Sequence, residues 1–200
     1  MTAAGIVLCG GRSSRMGRPK AWLPWRGRPM LVHVVETLRR AVDEIVVVSS
    51  ADLELPRLDA RVVVDRDPGL GPLAGIREGL AHIEADLAFV TSTDAPFLRP
   101  GFIEAMLGFE RAAAPVVEGR VQTLAAVYPR SALPCAERLI AAGRLRPLFL
   151  LEAERYRQVL PHELPELESL RSLNTPEEYR RAVLETQGEA TATVTATERG

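Results

Sequence analysis

Cysteine is almost absent from this chain, with Cys9 and Cys135 the only two in 200 residues. Neither sits at a metal-ligand or redox-pair spacing, so both are expected to be reduced thiols, as in a cytoplasmic protein. Histidine is equally scarce. His33 and His82 fall on helical patterns and His162 in a proline-flanked loop, with no ligand spacing among them, so structural roles are expected. An excess of one charge is missing too, since 25 basic and 26 acidic residues leave a formal net charge of -1. That balance excludes a general binder of nucleic acid or of an anionic membrane, and any attraction for polyanions has to be local. No apolar run is long enough to span a membrane, and the opening stretch "MTAAGIVLCGG" lacks the basic flank of a secretion signal. A cytoplasmic location is the expectation.

The chain does have the means to bury a core, with hydrophobic residues at 46%. The pattern predicts a single domain over residues 1–185 and a disordered tail over 186–200, where "TQGEATATVTATERG" offers no apolar face. Three compact runs, "GIVLC" (5–9), "EIVVVSS" (44–50) and "LAFVTSTD" (87–94), read as buried parallel strands, and "RVVVD" (61–65) as a shorter one. Between them, Met30, Leu31, Val34, Val35, Leu38 and Val42 share one helical face, and Leu73, Ile76, Leu80 and Ile83 another. Alternating strands and helices predict a three-layer, Rossmann-like α/β fold: a mainly parallel sheet with helices on both faces. Further on, "APVVEGRVQTLAAVYP" suggests strands around a turn at Gly119, followed by helices near 131–142 and 146–154. Thr175, Pro176 and Glu178 spell a capping box that opens a last helix.

Chemistry concentrates where the first strand ends. In "GIVLCGGRSSRMGRPK", Gly10, Gly11 and Gly17 allow backbone N–H groups to approach an anion, while Arg12, Arg15, Arg18 and Lys20 supply charge for more than one phosphate. A Walker A loop does not fit, because Gly17 is followed by Arg18, Pro19 and Lys20, and the dinucleotide fingerprint fails because Gly10 and Gly11 are adjacent. Asp94 closes the apolar run 87–94 and is expected at the same sheet edge. A carboxylate beside phosphates implies a divalent ion such as Mg²⁺, bound by the protein through one or two carboxylates. Asp65 ends its strand as either a site residue or a turn residue. "PGLGPLAG" (68–75) is either a third ligand loop or a helix lead-in.

Taken together and in order, "LCGGRSSRMGRPK", "DPGLGPLAGI", "TDAPFL" and "LNTPEEY" resemble the molybdenum cofactor guanylyltransferases, the MobA-type nucleotidyltransferases of Rossmann-like fold, across Leu8 to Tyr179. The resemblance implies transfer of GMP from GTP to the molybdopterin phosphate, with Mg²⁺ as cofactor, GTP and molybdopterin as substrates, and molybdoenzymes receiving the product. It implies GTP contacts at Leu8, Gly10, Gly11, Lys20 and Asp65, and at Gly71, Pro72 and Leu73 of the guanine-side loop. It makes Arg15, Lys20 and Asp94 catalytic, with Asp94 also the metal ligand, and sets Asn174 beside the acceptor. Arg146, in "GRLRP", is a second candidate for the acceptor phosphate. The chain departs from the family pattern at Cys9, usually alanine, and at Pro19, usually acidic. Ser49 and Ser50 stand where some members carry an asparagine, and "LNTPE" has one asparagine where many have two. Trp22 and Trp25 are expected to pack the loop against the body rather than stack on a ligand. The alternatives are a CTP-using molybdopterin cytidylyltransferase, a nucleotidyltransferase for another phosphorylated acceptor, and, in a different class, a non-catalytic nucleotide-binding or cofactor-delivery module. "GPLAG" favours guanine, and the retention of Lys20 with both aspartates favours an enzyme.

Overall fold

The computed structural model describes residues 1–10 and 19–197, with the side chains of 188–197 excepted. Its elements alternate as the apolar pattern requires: β1 (Ala3–Cys9), the two-residue strands β2 (Pro24–Trp25) and β3 (Arg28–Pro29), α1 (Met30–Leu38), β4 (Glu44–Ser49), β5 (Arg61–Val64), α2 (Pro72–Ala81) and β6 (Leu87–Ser92). The second half holds α3 (Pro100–Leu107), β7 (Ala113–Val117), β8 (Arg120–Val121), β9 (Ala126–Pro129), α4 (Leu133–Ala141), α5 (Pro147–Ala153), β10 (Arg157–Val159) and α6 (Pro176–Thr197).

Among the described residues, the main sheet has eight strands in the order β10-β7-β9-β6-β1-β4-β5, with β8 paired to β7. All neighbours in the β6-β1-β4-β5 half are parallel. β9 runs antiparallel to both β6 and β7, because the segment between 117 and 126 is too short for the crossover a parallel return needs. β7 turns into β8 through Glu118 (φ 50°) and Gly119 (φ 73°), the positive pair of a type I′ hairpin.

Alternation along the strands sorts the core into two layers. Val7 of β1, Ile45 and Val47 of β4, and Leu87 and Phe89 of β6 face α1 and α3. Ile6, Val46, Val48, Ala88 and Val90 face α2, α4 and α5. This is the three-layer arrangement expected from period-2 strands buried on both faces. A third cluster, Leu23, Trp25, Met30, Phe97, Leu173 and Ala182, fastens the β2–β3 hairpin and α6 to the body. Trp25 is 1% exposed there and packs as expected, whereas Trp22 stays 39% exposed and is held by its indole N–H, which donates to the Glu54 carbonyl at 2.9 Å.

α6 differs from expectation. The apolar pattern ends at Glu185, yet the helix continues to Thr197. Gln187, Glu189 and the alanines after Glu185 favour helix while Gly188 and the threonines oppose it, and elongation of a helix already nucleated costs less than starting one.

Glycine lets α2 seat tightly on β1. A Cβ on Gly79 of α2 would lie 2.6 Å from Ile6 Cγ2, and one on Gly75 would lie 3.1 Å from Leu8 Cδ2. Gly79→Ala should therefore cost about 1–3 kcal/mol through overpacking. Urea unfolding checks this, and an unchanged midpoint would show that α2 can lift off β1 freely.

Candidate active site

Chain order places a crevice before any side chain is considered. The chain moves from β1 outward to β4 and β5, then returns to the other side of β1 as β6. Connections thus diverge at the carboxyl ends of these strands, the usual ligand site of an open α/β sheet. A cleft of about 610 Å³ lies at that edge.

One wall comes from β1, β5 and α2. Leu8, Gly10, Asp65, Gly71 and Pro72 line it. Asp65 is fixed twice: its N–H donates to the Ser49 carbonyl at 2.8 Å, and its Oδ1 accepts the Asp67 N–H at 3.0 Å. Gly71, at φ 85°, caps α2 without a side-chain hydrogen bond, and Pro72 occupies the first turn. The Ala74 N–H donates to the Gly71 carbonyl at 3.2 Å, which leaves the Leu73 N–H and the positive end of the helix dipole for an anion. Among the described residues, nothing lies within 4 Å of a Cβ placed on Gly10. Packing does not demand glycine there.

The opposite wall is ionic. Lys20 Nζ donates to Asp94 Oδ2 at 2.6 Å and to Asn174 Oδ1 at 3.3 Å. The Ser92 hydroxyl donates to Asp94 Oδ1 at 2.5 Å. Lys20 and Asp94 keep only 21% and 18% of their side-chain surface exposed, so the pair is shielded more than a surface salt bridge. Asn174 arrives on the strap before α6, tied by the Leu173 N–H to the Asp94 carbonyl at 2.8 Å. The predicted capping box forms there: Glu178 accepts the N–H groups of Asn174 and Thr175, and the Thr175 hydroxyl accepts the Glu178 N–H. These bonds hold the Glu178 carboxyl below its ordinary range.

Two of the sequence candidates stand elsewhere, and two more lie outside the described residues. Leu73 does not line the cleft: its side chain is fully buried in the core, because it begins the stripe that continues through Ile76 and Leu80. Only its backbone could meet a ligand. Arg146 is exposed at the start of α5 and is not part of the cleft lining; its neighbour Arg144 stacks on Phe149 at 4.1 Å. Gly11 and Arg15 lie outside the described residues.

The structure adds groups that the sequence did not single out. Gln122 and Thr123, on the β8–β9 connection, and Ser169 and Ser172 of the strap complete the cleft. No spacing marked them, because they come from irregular segments that only the fold brings together. His33 also gains a role. Its Nε2 lies 3.0 Å from the Pro96 carbonyl, which places the proton on Nε2 and ties α1 to the loop carrying Asp94. Burial pushes the His33 pKa down to about 4.

Gly10, the N-terminus of α2 and a lysine–aspartate pair at one edge of this sheet suit a phosphate-handling α/β nucleotidyltransferase. The chain matches the MobA-like NTP transferase domain over residues 5–159 and belongs to that family. It is 37% identical over 189 residues to a probable molybdenum cofactor guanylyltransferase of Mycobacterium avium (strain 104), covering 90% of this chain and 94% of that one. It is 38% identical over 134 residues to one so named in Bacillus cereus, covering 62% of this chain and 67% of the relative. Among solved structures, it is similar to molybdopterin-guanine dinucleotide biosynthesis protein A of Archaeoglobus fulgidus, with TM-score 0.76 and 26% identity, covering 92% and 99% of the two chains. The 2-C-methyl-D-erythritol 4-phosphate cytidylyltransferase of Thermus thermophilus, at TM-score 0.70 and 18% identity over 91% and 98%, shares the fold. The expected fold class and family are thus both met.

Two outcomes follow from this geometry. Because His33 is neutral when folded and titrates at its ordinary 6.5 when unfolded, its contribution to stability is complete above pH 6.5 and declines as pH falls towards 4. His33→Gln, which keeps a donor for Pro96, should flatten the fall in melting temperature across that window; an unaltered slope would assign it to other groups. Gly10→Ala should leave the melting temperature near the parent value and weaken nucleotide binding about tenfold or more, since no described residue fills the space beside Gly10. Titration calorimetry reads the second effect, and undiminished affinity would remove Gly10 from the site.

Proposed function

We propose that this chain transfers GMP from GTP to the terminal phosphate of molybdopterin in the molybdenum cofactor, releasing pyrophosphate. The observation that carries the reading is Asp94, paired with Lys20 behind the lining of the cleft, facing the N-terminus of α2 across it. The relatives' printed names supply the nucleotide and the acceptor.

The attacking group is a phosphate that is ionised at neutral pH, so the chain needs no general base. Its task is to bring anions together and to neutralise charge as the Pα–O bond to pyrophosphate breaks. On this reading Lys20 leaves Asp94 for the phosphates, and the N-terminus of α2 takes a further share of the negative charge. Asp65 accepts hydrogen bonds from the nucleoside, and Asn174 orients the acceptor.

The donor set also fits a divalent ion of the magnesium type. Asp94 already holds a cation, the Lys20 ammonium, at 2.6 Å, and such an ion needs only one or two protein carboxylates beside phosphate oxygens. When bound, Mg²⁺ would supply charge neutralisation at the phosphates, with Asp94 as its protein ligand.

Pyrophosphate release from GTP and from CTP, with Mg²⁺ and with or without molybdopterin, tests the proposal. Acceptor-dependent release that prefers GTP is expected. Preference for CTP would make the chain a cytidylyltransferase, and release indifferent to molybdopterin would move the acceptor elsewhere. Lys20→Ala and Asp94→Asn should each slow release by about a hundredfold or more, with little change in melting temperature.

A further inference from the structure

Behind the cleft, two ion pairs join the loop after β5 to the middle of α2. Arg66 Nε donates to Glu78 Oε2 at 2.8 Å, and Arg77 Nη2 donates to Asp67 Oδ2 at 2.7 Å. Consecutive loop residues thus meet consecutive helix residues in reverse order, as two rungs of a clasp. The helix side is buried, with Glu78 at 2% and Arg77 at 7% exposure. Arg77 Nη2 also lies 3.5 Å from Glu78 Oε2, and His82 Nδ1 lies 3.4 Å from Glu78 Oε1.

Stability alone does not explain charges at this place. Arg66 and Asp67 keep 60% and 44% of their side-chain surface exposed, so each pair is partly screened by solvent, while desolvating Glu78 and Arg77 has a cost that apolar residues of similar size would avoid. The clasp does remove freedom from one segment. Gly69 at φ 100° and Gly71 at φ 85°, both with open surroundings, leave the 65–71 loop little side-chain packing of its own. Its first turn closes through the Asp67 N–H on Asp65 Oδ1, and Asp67 is the residue that Arg77 grips.

We propose that Arg77, through Asp67, is a positioning residue for nucleotide binding: it holds the Asp67 amide against one Asp65 oxygen, so that the other is presented to the cleft. A carboxylate accepts hydrogen bonds and repels phosphate, so the group it receives is a donor of the nucleoside, a sugar hydroxyl or a base N–H. The inference rests on the nucleotide reading of this cleft.

The experiment is calorimetric titration of GTP, with Mg²⁺, into the full chain and into Asp67→Asn, Asp65→Asn and the double variant, each checked for melting temperature. Asp67→Asn keeps the backbone N–H and leaves Arg77 beside Glu78, so it should fold. In the parent background it is expected to weaken GTP binding about tenfold, and by less than about twofold once Asp65 is asparagine, because coupled neighbours are not additive. Equal losses in both backgrounds, or no loss in the single variant, would overturn the clasp while leaving the nucleotide site intact. Absence of GTP binding by the unaltered chain would overturn the function reading and the clasp with it. Should Asp67→Asn lose its cooperative transition, Arg77→Lys and Arg77→Gln replace it, with the lysine variant expected to retain most of the affinity and equal affinities counting against the proposal.

Discussion

The contact on which the rest of this structure depends is the close seating of α2 on β1. Gly75 and Gly79 bring the helix so near that an added methyl group at either would press on Leu8 or Ile6. Because helix and strand are rigid, that spacing at the middle of the contact also fixes its end. The N-terminus of α2 comes to rest beside the last residues of β1, and Gly71, Pro72 and Gly10 share one cleft. A longer helix-to-sheet distance would leave the same helix end facing solvent. The end of the cleft that we assign to the phosphates is in this sense a product of packing in the core.

The opposite wall is built differently. Lys20, Asp94 and Asn174 belong to three distant parts of the chain, and polar bonds join their side chains beside the apolar cluster of Leu23, Phe97 and Leu173. Further anchors back this wall: His33 on Pro96, the Leu173 amide on the Asp94 carbonyl, and Glu178 on the amides of Asn174 and Thr175. A wall held by charge can exchange partners when phosphates arrive, whereas the α2 wall cannot shift without disturbing the core. The two halves of the cleft therefore suit different tasks, fixed recognition on one side and charge rearrangement on the other.

Much of this was legible in the sequence, for physical reasons. β1, β4 and β6 announce themselves because strands buried on both faces are continuous apolar runs, and a carboxylate directly after such a run must emerge at the sheet edge, as Asp65 and Asp94 do. Leu73 illustrates a signal that was present but outweighed: its phase with Ile76 and Leu80 marked it as core, while the glycine-proline motif around it suggested the ligand. Arg146 had no such signal, since adjacency of basic residues does not say which layer of the fold they decorate. β10 and the β2–β3 hairpin are too short to show a period. The walls supplied by Gln122 and Ser172 come from irregular backbone, whose position is set by tertiary contacts alone.

The strap bearing Asn174 lies beyond residue 159, where the matched family domain ends, yet it is stitched to Asp94 by the Leu173 amide and to the β2–β3 hairpin by the Tyr179 hydroxyl on the Pro24 carbonyl at 2.6 Å. Domains fold as units, and α2 shares its core layer with elements as late as α5. A cut at residue 159 would keep every strand of the sheet in the chain yet remove Ser169, Ser172 and Asn174 from the cleft, so the boundary of the matched domain is not the boundary of the cleft.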